Sequence, residues 1–461
     1  MEEKLHFIGI GGIGMSAIAR IMLGQGFVIS GSDVEEGRLT RELAAAGAKI
    51  CYGHDAANLP ADCQAVVYSS AVKPDNAEML EAARRGLPVY RRAEMLAYLL
   101  SQKIGIGVAG AHGKTTTSAM IATMLEAAGK DPTVIIGGML PLIGGNAKAG
   151  RGDTLVAEAD ESDGTFLLLR PKIAVVTNIE ADHLDHYHDL AHIVAAFAQY
   201  LRQLPPDGFG VINYDCATAR ALAQETPGRF ISYALEEDAD YTVKNIVHLP
   251  QNYGGGVLAD VFYHGLLLGR LQLQVGGVHN ISNALAAVAV GRELGLSFAQ
   301  CAAGLARFTG TGRRFELLGQ FGRLRVIDDY AHHPTEIRAT IAAARSQGVK
   351  KLFVVFQPHR YSRTQAMYRD FAASLMDGDK VMLLELYPAF EKPIFGVSAQ
   401  LVVDAMREMG HGSVSYAPDI DTALGMLVQE LTDEDMLLIL GAGNIRQLGE
   451  RYVAKRKEEQ V

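Results

Sequence analysis

Residues 104–129 read IGIGVAGAHGKTTTSAMIATMLEAAG, and this stretch decides the fold class. It begins with the pattern of a buried strand at Ile104–Ala109, passes through Gly110 and Gly113, and continues with apolar residues at helical spacing until Gly129. A glycine turn between a strand and a helix directs backbone N–H groups towards a bound anion at the helix N-terminus. The stretch therefore predicts a parallel α/β domain with a phosphate-binding turn.

This turn, residues 110–116, is called the lysine turn, and its polar residues indicate nucleotide phosphates. Lys114 can neutralise the charge of β- and γ-phosphates, and the hydroxyl of Thr115 can bind Mg²⁺. The helix dipole would disfavour a lysine at this place unless an anion were bound. Val108 stands where the usual G-x-x-x-x-G-K-[ST] motif has its first glycine. We predict that ATP contacts Gly110, Ala111, His112, Gly113, Lys114, Thr115 and Thr116.

A second glycine turn lies near the start of the chain. Residues 9–14 read GIGGIG between a strand-like segment at Leu5–Ile8 and a helical stripe, and Asp33 follows about 20 residues later. This G-x-G-x-x-G pattern is typical of NAD sites, but any diphosphate nucleotide fits the same backbone, and glycines also serve packing. Two such turns predict two phosphorylated ligands, and only the lysine turn has the groups expected for phosphoryl transfer.

Composition excludes several classes of protein. The chain has 461 residues, of which 49% are hydrophobic and 21% charged, so it can fill several cores and is neither disordered nor fibrous. A net charge of −9 provides no general attraction for nucleic acid or an anionic membrane. The N-terminus is acidic, no run of about 18 apolar residues occurs, and no C-x-x-C pair is present. We expect a soluble, cytoplasmic protein with reduced cysteines at Cys51, Cys63, Cys216 and Cys301.

Short apolar runs alternate with helical stretches throughout the chain, which predicts three α/β domains. We place a Rossmann-like domain at residues 1–102, a P-loop ATPase-like domain with a mainly parallel sheet at 103–309, and a second Rossmann-like domain at 310–461. A polar, glycine-rich stretch at about 238–275 favours an antiparallel addition to the central sheet. Short apolar runs predict strands at Leu5–Ile8, Phe27–Ser30, Ala65–Tyr68, Ile104–Ala109, Thr154–Ala157, Ile173–Thr177, Gly210–Asn213, Leu324–Asp328, Lys351–Phe356, Val381–Glu385 and Met436–Leu440.

Carboxylates follow a predicted strand of the central domain in the sequence LVAEADESDGTF. Glu158 lies at the strand end, beside the expected position of the lysine turn, where Mg²⁺ must bind. His183, in TNIEADHLDH, is a second candidate ligand, although Mg²⁺ prefers oxygen and a solvated histidine loop explains the sequence equally well. For the nearby Asp160, Glu161 and Asp163, a charged surface turn is as compatible with the sequence as a metal site.

Two further groups allow alternative interpretations. Asn280 and Asn283 share a helix face and could meet an adenine edge, but helix capping explains Asn280 equally well. Arg313 and Arg314, in the linker FTGTGRRFE, could reach ATP phosphates only if the third domain closed over the second, whereas a solvated linker pair is the alternative.

Polar loops follow two strands of the third domain. They read DDYAHHPT at residues 328–335 and QPHRYSR at 357–363, and each precedes a predicted helix. The two loops should therefore meet at one edge of a parallel sheet, where two arginines and a histidine would suit a small carboxylate. Local capping is the alternative role for the pair His332 and His333.

Taken together, these motifs resemble those of the Mur ligases. The matching segments, in order, are HFIGIGGIGMSAIAR, SGSD, YSSAV, RRAEML, GAHGKTTT, AEADESD, TNIEADHLD, GVHNISNALAA, TGTGRRFE, DDYAHHPTE, QPHRYSRT and LGAGNI. They cover nearly the entire chain, and an ordered series of this kind is highly specific. Ala111 departs from the family, which usually has threonine there, but that side chain is not a phosphate ligand.

The resemblance implies an ATP-dependent acid–amino-acid ligase of peptidoglycan precursor synthesis. Such an enzyme would join L-alanine to the lactyl carboxylate of UDP-N-acetylmuramate through an acyl phosphate, with ATP and Mg²⁺. The first domain would bind the UDP-sugar, the central one ATP, and the last the amino acid. We expect a monomer or weak homodimer without nucleic-acid or membrane partners.

Three alternatives remain at this point. A recycling ligase would attach a whole tripeptide to the same UDP-sugar, although the compact donors of QPHRYSRT favour a free small amino acid. An NAD-dependent oxidoreductase would use the first glycine turn, and the lysine turn makes it improbable. A non-catalytic ATP-gated binding protein would bind ATP and form no product.

The resemblance also implies a role for individual residues. The predicted catalytic residues are Lys114, Glu158 and His183, and the predicted metal ligands are Thr115, Glu158 and His183. Around the nucleotide, the resemblance places His279, Asn280 and Asn283 on the adenine side, Asp329 at the ribose and Arg313 at the phosphates. The residues expected around L-alanine are Tyr330, His359, Arg360 and Arg363. Those expected around the UDP-sugar are Gly11, Gly12, Ile13, Gly14, Met15, Ser16, Asp33, Ser69 and Ser70.

Overall fold

The computed structural model describes residues 4–69, 71–249, 256–389, 391–431 and 436–459. The chain divides into two compact units. The first unit comprises Met1–Asn245, Ala259–Leu271 and Ser282–Phe308, and the second comprises Ile246–Leu258, Gln272–Ile281 and Thr309–Val461. The predicted boundary between residues 102 and 103 therefore falls inside the first unit, and the three predicted domain ranges stay predictions.

The N-terminal sheet contains five strands in the described residues, in the order β3-β2-β1-β4-β5, and every neighbouring pair is parallel. Its strands are β1 (Lys4–Ile8), β2 (Val28–Asp33), β3 (Lys49–Tyr52), β4 (Ala65–Tyr68) and β5 (Val89–Arg91). Its helices are α1 (Ile13–Gly24), α2 (Arg38–Ala45), α3 (Ala77–Arg84) and α4 (Arg92–Ser101). The chain switches sides of the sheet between β1 and β4, so a ligand crevice is expected beyond the carboxyl ends of these strands.

The central sheet has ten strands in the described residues, in the order β15-β14-β13-β12-β11-β10-β6-β9-β7-β8. Its strands are β6 (Ile104–Ala109), β7 (Thr133–Leu140), β8 (Gly145–Lys148), β9 (Thr154–Glu158), β10 (Ile173–Val176), β11 (Phe209–Asn213), β12 (Phe230–Tyr233), β13 (Tyr241–His248), β14 (Val257–Tyr263) and β15 (Leu266–Leu273). Its helices are α5 (Lys114–Ala127), α6 (Leu184–Tyr187), α7 (Leu190–Arg202), α8 (Ala217–Glu225), α9 (Val278–Glu293) and α10 (Phe298–Leu305). In the order of the sheet, the neighbouring strands β12, β11, β10, β6, β9 and β7 all pair in parallel. At the edge, β7 and β8 form an antiparallel hairpin.

The third sheet, in the second unit, has six strands in the described residues, in the order β16-β17-β21-β18-β19-β20. Its strands are β16 (Glu316–Phe321), β17 (Leu324–Asp329), β18 (Leu352–Phe356), β19 (Lys380–Leu384), β20 (Val414–Ala417) and β21 (Met436–Leu440). Its helices are α11 (Pro334–Arg345), α12 (Tyr361–Leu375), α13 (Gln400–Glu408), α14 (Ile420–Glu430) and α15 (Arg446–Glu458). The pair β16 and β17 is antiparallel, and the remaining neighbours are parallel.

Within the first unit, the N-terminal and central sheets share a hydrophobic core. Ile18 and Met22 of α1 and Leu99 of α4 belong to the same buried cluster as Ala147 of β8 and Leu155 of β9. Burial of apolar surface between the two sheets stabilises their mutual position.

The predicted α/β class with mainly parallel sheets is confirmed, and several strand limits differ by one or more residues. β2 ends at Asp33 rather than Ser30 because residues 31–33 pair with β3 and extend a strand that looks like a turn in isolation. The expected antiparallel addition is present where the two residues His264 and Gly265 join β14 to β15, since a connection this short requires a hairpin. The hairpin of β7 and β8 is absent from the sequence prediction, because its glycine-rich strands lack the usual alternation.

Candidate active site

The lysine turn joins β6 to α5 and is shaped by two glycines. Gly110 and Gly113 have φ angles of 134° and 83°, which other residues rarely adopt. A Cβ atom on Gly110 would lie 2.1 Å from Thr177 Oγ1, and one on Gly113 would lie 2.8 Å from Asn283 Oδ1. Neither position can carry a side chain unless its neighbour moves.

Two polar residues after β10 hold the lysine turn in place. The Thr177 hydroxyl donates to His112 O at 2.6 Å, and the Asn178 side-chain amide donates to the same oxygen at 3.0 Å. The Asn178 carbonyl oxygen Oδ1 also accepts from His112 N at 2.9 Å. Neither residue is among the predicted contacts, although two polar residues directly after a buried strand were the available signal. These three hydrogen bonds hold the backbone of the turn at His112.

Lys114 lies at the start of α5 and is held by its own turn and by a carboxylate. Its Nζ donates to Gly110 O at 2.6 Å and to Glu161 Oε1 at 2.9 Å. Burial opposes the charged ammonium, but Glu161, Asp160 and Glu158 outweigh it and hold the pKa of Lys114 above its usual value. The predicted cation therefore lies among three carboxylates.

Glu158 and Thr115, two of the predicted metal ligands, lie together. The Glu158 carboxylate accepts from Gly137 N of β7 and from the Thr115 hydroxyl. Burial raises the pKa of Glu158, and the N–H of Gly137, the charge of Lys114 and the hydroxyl of Thr115 oppose this rise. A carboxylate and a hydroxyl thus meet beside the predicted phosphate site.

The third predicted ligand, His183, adopts a left-handed backbone with φ 53°. Its backbone N–H donates to Asp182 Oδ1 at 2.7 Å. Burial raises the pKa of Asp160, but the charges of Lys114 and His183, together with hydrogen bonds from Ser162, lower it overall. The charge of His183 thus acts on Asp160, one of the carboxylates near Lys114.

The donor set of this region fits Mg²⁺ in chemical type. The Thr115 hydroxyl and the Glu158 carboxylate supply the hard oxygen atoms that Mg²⁺ prefers. Glu161 is buried, and its Oε2 has no hydrogen-bond partner among the described residues. A surface turn is therefore wrong for Glu161, whereas Asp163 is exposed as that alternative requires.

The predicted adenine residues all lie in the first two turns of α9. Asn283 is buried in the first unit, where its Oδ1 accepts from the Thr117 hydroxyl at 3.1 Å and lies beside Gly113. In the second unit, Asn280 Nδ2 donates to Gly276 O at 2.7 Å. Burial, followed by the charge of Arg314, lowers the pKa of His279 to about 4. The adenine roles of His279, Asn280 and Asn283 stay predictions.

Residues 9–16 form the N-terminal glycine turn, which joins β1 to α1. Gly9 N and Ile10 N donate to Ser32 O at 2.9 and 3.0 Å, so β2 fixes the beginning of the turn. Gly11 N donates to Asp33 Oδ2 at 2.7 Å. Gly12 has space around it, because the nearest heavy atom to an added Cβ would be 3.5 Å away. The backbone at Gly12 therefore has room for at least an added methyl group.

Other predicted UDP-sugar residues have different environments. Met15 and Ser16 are buried in α1, whereas Ile13 is 55% exposed at its start. Ser69 lies against Gly9, since an added Cβ on that glycine would be 3.3 Å from Ser69 Cβ. Ser70 lies outside the described residues. Their ligand roles stay predictions.

Two neighbours of this turn are missing from the predicted set. The guanidinium group of Arg92, at the start of α4, approaches Gly14, because an added Cβ there would be 3.0 Å from Arg92 Nη1. Asn146 of β8 is buried and donates to Ile13 O at 3.0 Å. Local sequence gives no signal for Asn146, since it lies more than 130 residues from its partner.

In the second unit, Arg313 packs against the third sheet. Its Nη2 donates to Gly441 O at 2.6 Å and its Nε to Asp328 Oδ2 at 3.2 Å, while its guanidinium lies 5.0 Å from the ring centre of Tyr330. Its side chain is 24% exposed, so Arg313 is not a solvated linker residue. A role on ATP phosphates stays a prediction.

Asp329 ends β17 and is buried. Its Oδ1 accepts from Ala331 N at 2.8 Å and its Oδ2 from Phe315 N at 2.7 Å. Burial raises its pKa to about 6, against the opposing charge of Arg314 and these backbone hydrogen bonds. Both carboxylate oxygens of Asp329 thus accept hydrogen bonds from nearby backbone N–H groups. The contact of Asp329 with a ribose stays a prediction.

The four residues predicted to surround L-alanine lie on β17–α11 and β18–α12 connections or just beyond them. The rings of His359 and Tyr387 are stacked nearly parallel, with their centroids 5.6 Å apart. In addition, Arg360 N donates to Tyr387 O at 2.8 Å. Burial, then the charges of Arg363 and Arg360, lower the pKa of His359 to about 4. Tyr387, in the loop after β19, is a neighbour that the sequence prediction does not include.

The ring of His332 lies between Tyr330 and His359. Its ring centroid lies 5.2 Å from that of Tyr330 and 5.9 Å from that of His359. The loops after β17 and β18 therefore meet at one sheet edge, as expected. His333 accepts from Thr335 N at 3.4 Å, which agrees with the capping alternative for that residue.

None of the helices in the described ranges has the length and hydrophobicity needed to span a lipid bilayer. Cys51, Cys63, Cys216 and Cys301 are free thiols. The expected cytoplasmic location stays a prediction.

Comparison with known proteins agrees with the arrangement of the sheets. Family models described as the catalytic domain of the Mur ligase family, the Mur ligase middle domain and the Mur ligase glutamate ligase domain match residues 4–104, 108–291 and 313–443. A protein of Pelotomaculum thermopropionicum named UDP-N-acetylmuramate–L-alanine ligase is 48% identical, with 100% of this chain and 99% of the relative covered. A protein of Syntrophotalea carbinolica with the same name is 46% identical, with 97% of each covered.

A solved structure gives the same result. The UDP-N-acetylmuramate–alanine ligase of Thermotoga maritima superposes with a TM-score of 0.83 at 30% sequence identity, and 99% of each chain is covered. The three family matches follow one another along the sequence without overlap and together span most of it. This chain therefore belongs to the Mur ligase family.

Proposed function

We propose that this chain joins L-alanine to the lactyl carboxylate of UDP-N-acetylmuramate, with ATP converted to ADP and phosphate. The names of its full-length relatives support this reaction. The observation that carries the proposal is the presence of two glycine turns in one compact unit, of which only one has a lysine among carboxylates. The product would be UDP-N-acetylmuramoyl-L-alanine, a precursor for peptidoglycan synthesis and cell-wall biogenesis.

The reaction needs an activated carboxylate, because an amine cannot displace an oxide ion at a useful rate. In the first step, a lactyl carboxylate oxygen bonds to the γ-phosphorus of ATP, and the bond between that phosphorus and ADP breaks. The resulting acyl phosphate has a good leaving group. Lys114 would offset the negative charge that develops on the transferred group. Mg²⁺ held by Thr115, Glu158 and His183 would supply further neutralisation of phosphate charge.

In the second step, the neutral amine of L-alanine bonds to the carbonyl carbon, the bond from that carbon to the phosphate oxygen breaks, and the proton lost by the amine passes to the released phosphate or to water. Arg360 and Arg363 would bind the alanine carboxylate as charge-assisted partners. His359 has a pKa lowered to about 4, so its ring is neutral at pH 7 and can accept a hydrogen bond from the amine. Tyr330 completes the proposed amino-acid site.

The N-terminal glycine turn would bind the diphosphate of the UDP-sugar. The open backbone at Gly12 and the adjacent Ser69 support this role. No acidic residue occupies the first turn of α1, so the helix N-terminus favours an anion. Asp33 supports the turn through Gly11 N, in addition to any contact with the ligand.

One assay tests the proposed reaction. Phosphate release is measured with UDP-N-acetylmuramate, ATP and Mg²⁺, with L-alanine, glycine, L-serine or the cell-wall tripeptide as acceptor. We expect the greatest kcat/KM with L-alanine and an amide product detected by mass spectrometry. Preferred turnover of the tripeptide would instead identify a recycling ligase. ATP binding without any product would identify a non-catalytic protein, and nicotinamide binding would favour an oxidoreductase.

Isotope transfer tests the acyl phosphate itself. UDP-N-acetylmuramate labelled with ¹⁸O in the lactyl carboxylate should transfer one ¹⁸O atom to the released phosphate, because the C–O bond of the acyl phosphate breaks in the second step. Phosphate without label would reject this intermediate.

The remaining expectations concern the cellular setting. A reaction that consumes a UDP-sugar and ATP belongs in the cytoplasm and needs neither nucleic acid nor a membrane. We propose a monomer or weak homodimer, which sedimentation at several protein concentrations would measure.

A further inference from the structure

Glu161 is a buried carboxylate whose main partner is the lysine of the lysine turn. Its Oε1 lies 2.9 Å from Lys114 Nζ, and the two side chains are 4% and 14% exposed. The ammonium also donates to Gly110 O at 2.6 Å. Lys114 is therefore folded back onto its own turn, with its strongest contacts inside the protein.

The backbone of Glu161 is held in place. The buried Tyr187 donates its hydroxyl to Glu161 O at 2.6 Å, and Gly164 N donates to the same oxygen at 3.0 Å. The carboxylate can thus change its contacts by side-chain rotation, while the loop beneath it stays fixed. This arrangement keeps the carboxylate next to the lysine turn.

The second oxygen of this carboxylate is not used by the described part of the chain. Glu161 Oε2 is buried and has no hydrogen-bond partner there. A buried charged oxygen without a partner costs free energy. Fold stability alone would favour a fully bonded or neutral side chain at this position, so the cost indicates a role in the chemistry of the turn.

A phosphate that binds Lys114 must compete with this carboxylate. Glu158 and Asp160 add two more negative charges around the same ammonium. An incoming polyphosphate therefore meets three carboxylates and a lysine that is already paired. Removing the charge of Glu161 should strengthen binding of the anion, whereas removal of an ordinary binding residue weakens it.

We infer that Glu161 is a positioning residue that holds Lys114 against the lysine turn until a nucleotide phosphate displaces the carboxylate. This role rests on the proposed binding of ATP at that turn. It would keep the buried lysine paired in the ligand-free protein and make release of the lysine part of nucleotide binding.

Binding of ATP without metal tests this inference. The dissociation constant of ATP is measured by calorimetry in EDTA, where turnover is blocked, for the wild-type chain and for Glu161→Gln. We expect Glu161→Gln to bind ATP about tenfold more tightly, because a charge-assisted competitor for Lys114 becomes a neutral one. A merely structural role would leave the affinity unchanged or weaken it.

Two further variants separate the effect of the negative charge on this loop from the effect of the length of the Glu161 side chain. Asp163→Asn removes one charge from the same loop at an exposed site, and its oxygen can still accept from Thr165 N. Its affinity for ATP should stay within about twofold of wild type, because an exposed charge is well screened. Glu161→Asp keeps the charge but shortens the side chain, so its affinity should lie between those of wild type and Glu161→Gln. It also provides a second test if the glutamine variant folds poorly.

The possible failures can be told apart. Absence of ATP binding in wild type and in all variants would overturn both the proposed function and this role. Normal binding by wild type with equal or weaker binding by Glu161→Gln would overturn the role of Glu161 alone. Equal tightening in Asp163→Asn would also overturn it, because a general loss of charge would then explain the effect.

Discussion

The N-terminal glycine turn and the lysine turn share one backbone plan but differ in charge. Each follows a parallel strand and precedes a helix that has neither a side-chain cap nor an acidic residue in its first turn. The first is fixed by Ser32 O and the carboxylate of Asp33, whereas the second is fixed by the hydroxyl of Thr177 and the amide of Asn178. The second has a cation among its own residues, Lys114, with carboxylates around it, whereas the cation beside the first, Arg92, comes from α4.

This difference shows how one turn geometry can serve two kinds of chemistry. Backbone N–H groups at a helix N-terminus are sufficient to hold a diphosphate. Transfer of a phosphoryl group requires charge neutralisation that those groups alone do not supply. Lys114, Thr115 and Glu158 provide the additional groups at the second turn. The proposed function therefore places binding of the UDP-sugar at the first turn and phosphoryl transfer at the second.

Replacing the lysine should produce the largest effect. Lys114→Ala should lower the rate of phosphate release by about 10³-fold or more, because the transferred group loses its main protein cation. Binding of UDP-N-acetylmuramate, measured by calorimetry, should be unchanged, since the first turn is intact. Substantial turnover by this variant, or loss of UDP-sugar binding, would contradict the separation of roles.

Adding one methyl group should distinguish the two turns. Gly110→Ala combines a φ of 134° with a Cβ only 2.1 Å from Thr177 Oγ1, so we expect a loss of about 2–4 kcal/mol in unfolding free energy. Gly12→Ala is the matched control, because its nearest heavy atom would be 3.5 Å away and its φ is −61°. Denaturant unfolding measures both variants, and equal losses would show that packing does not distinguish these glycines.

Loss of the Asp33 carboxylate should weaken binding of the UDP-sugar at the first turn and leave ATP binding at the second unchanged. Asp33→Ala removes the acceptor of Gly11 N, and we expect about tenfold weaker binding of the UDP-sugar from the loss of a charged hydrogen-bond acceptor. Asp33→Asn keeps one acceptor oxygen and should have an intermediate affinity. ATP binding, measured in parallel, serves as the control, and a similar loss there would contradict the independence of the two turns.

The smallest effect concerns a buried carboxylate below the first turn. Glu78 accepts from His6 Nε2 at 2.6 Å and from His54 Nδ1 at 2.8 Å, and His54 also contacts Ser32. Burial raises the pKa of Glu78, but the hydrogen bonds from His6, His54 and Ser32 outweigh it and lower this pKa overall. Glu78→Gln should cost about 1 kcal/mol at pH 7.

The lowered pKa of Glu78 also determines the sign of its pH dependence. The charged form stabilises the folded chain, so its contribution is complete above the ordinary glutamate pKa of 4.5 and is lost as pH falls through the lower folded-state pKa. Below about pH 4.5, wild type should therefore lose stability more steeply than Glu78→Gln in denaturant unfolding. Glu81→Gln on the same helix, whose partner is the exposed Arg84, should change little. Parallel acid profiles for wild type and Glu78→Gln would contradict this linkage.

Residues whose roles depend on local spacing are predictable from the sequence. Lys114 and Thr115 follow a glycine turn after a strand, and Glu158 ends a strand, so sheet topology brings them to one edge. The loops at 328–335 and 357–363 meet for the same reason. These predictions need only the rule that parallel strands place their carboxyl ends together.

Residues whose partners are distant along the chain are not predictable in this way. Asn146 contacts Ile13 across more than 130 positions, and Thr177 contacts His112 across 65. Glu161 looks like a member of an exposed acidic turn until the fold buries it beside Lys114. Asp33 shows the converse case, because a residue expected around the UDP-sugar also accepts a hydrogen bond from the backbone of its own turn.

The sequence by itself determined the α/β class and the positions of the two glycine turns, because strand periodicity and glycine placement are local properties. The candidate catalytic set also needed the resemblance to the Mur ligases, since spacing left the role of His183 open. The tertiary structure alone decided which groups hydrogen-bond to those turns and which carboxylate pairs with the lysine. Burial and charge pairing depend on residues that become neighbours only after the sheets assemble, and no local pattern records them.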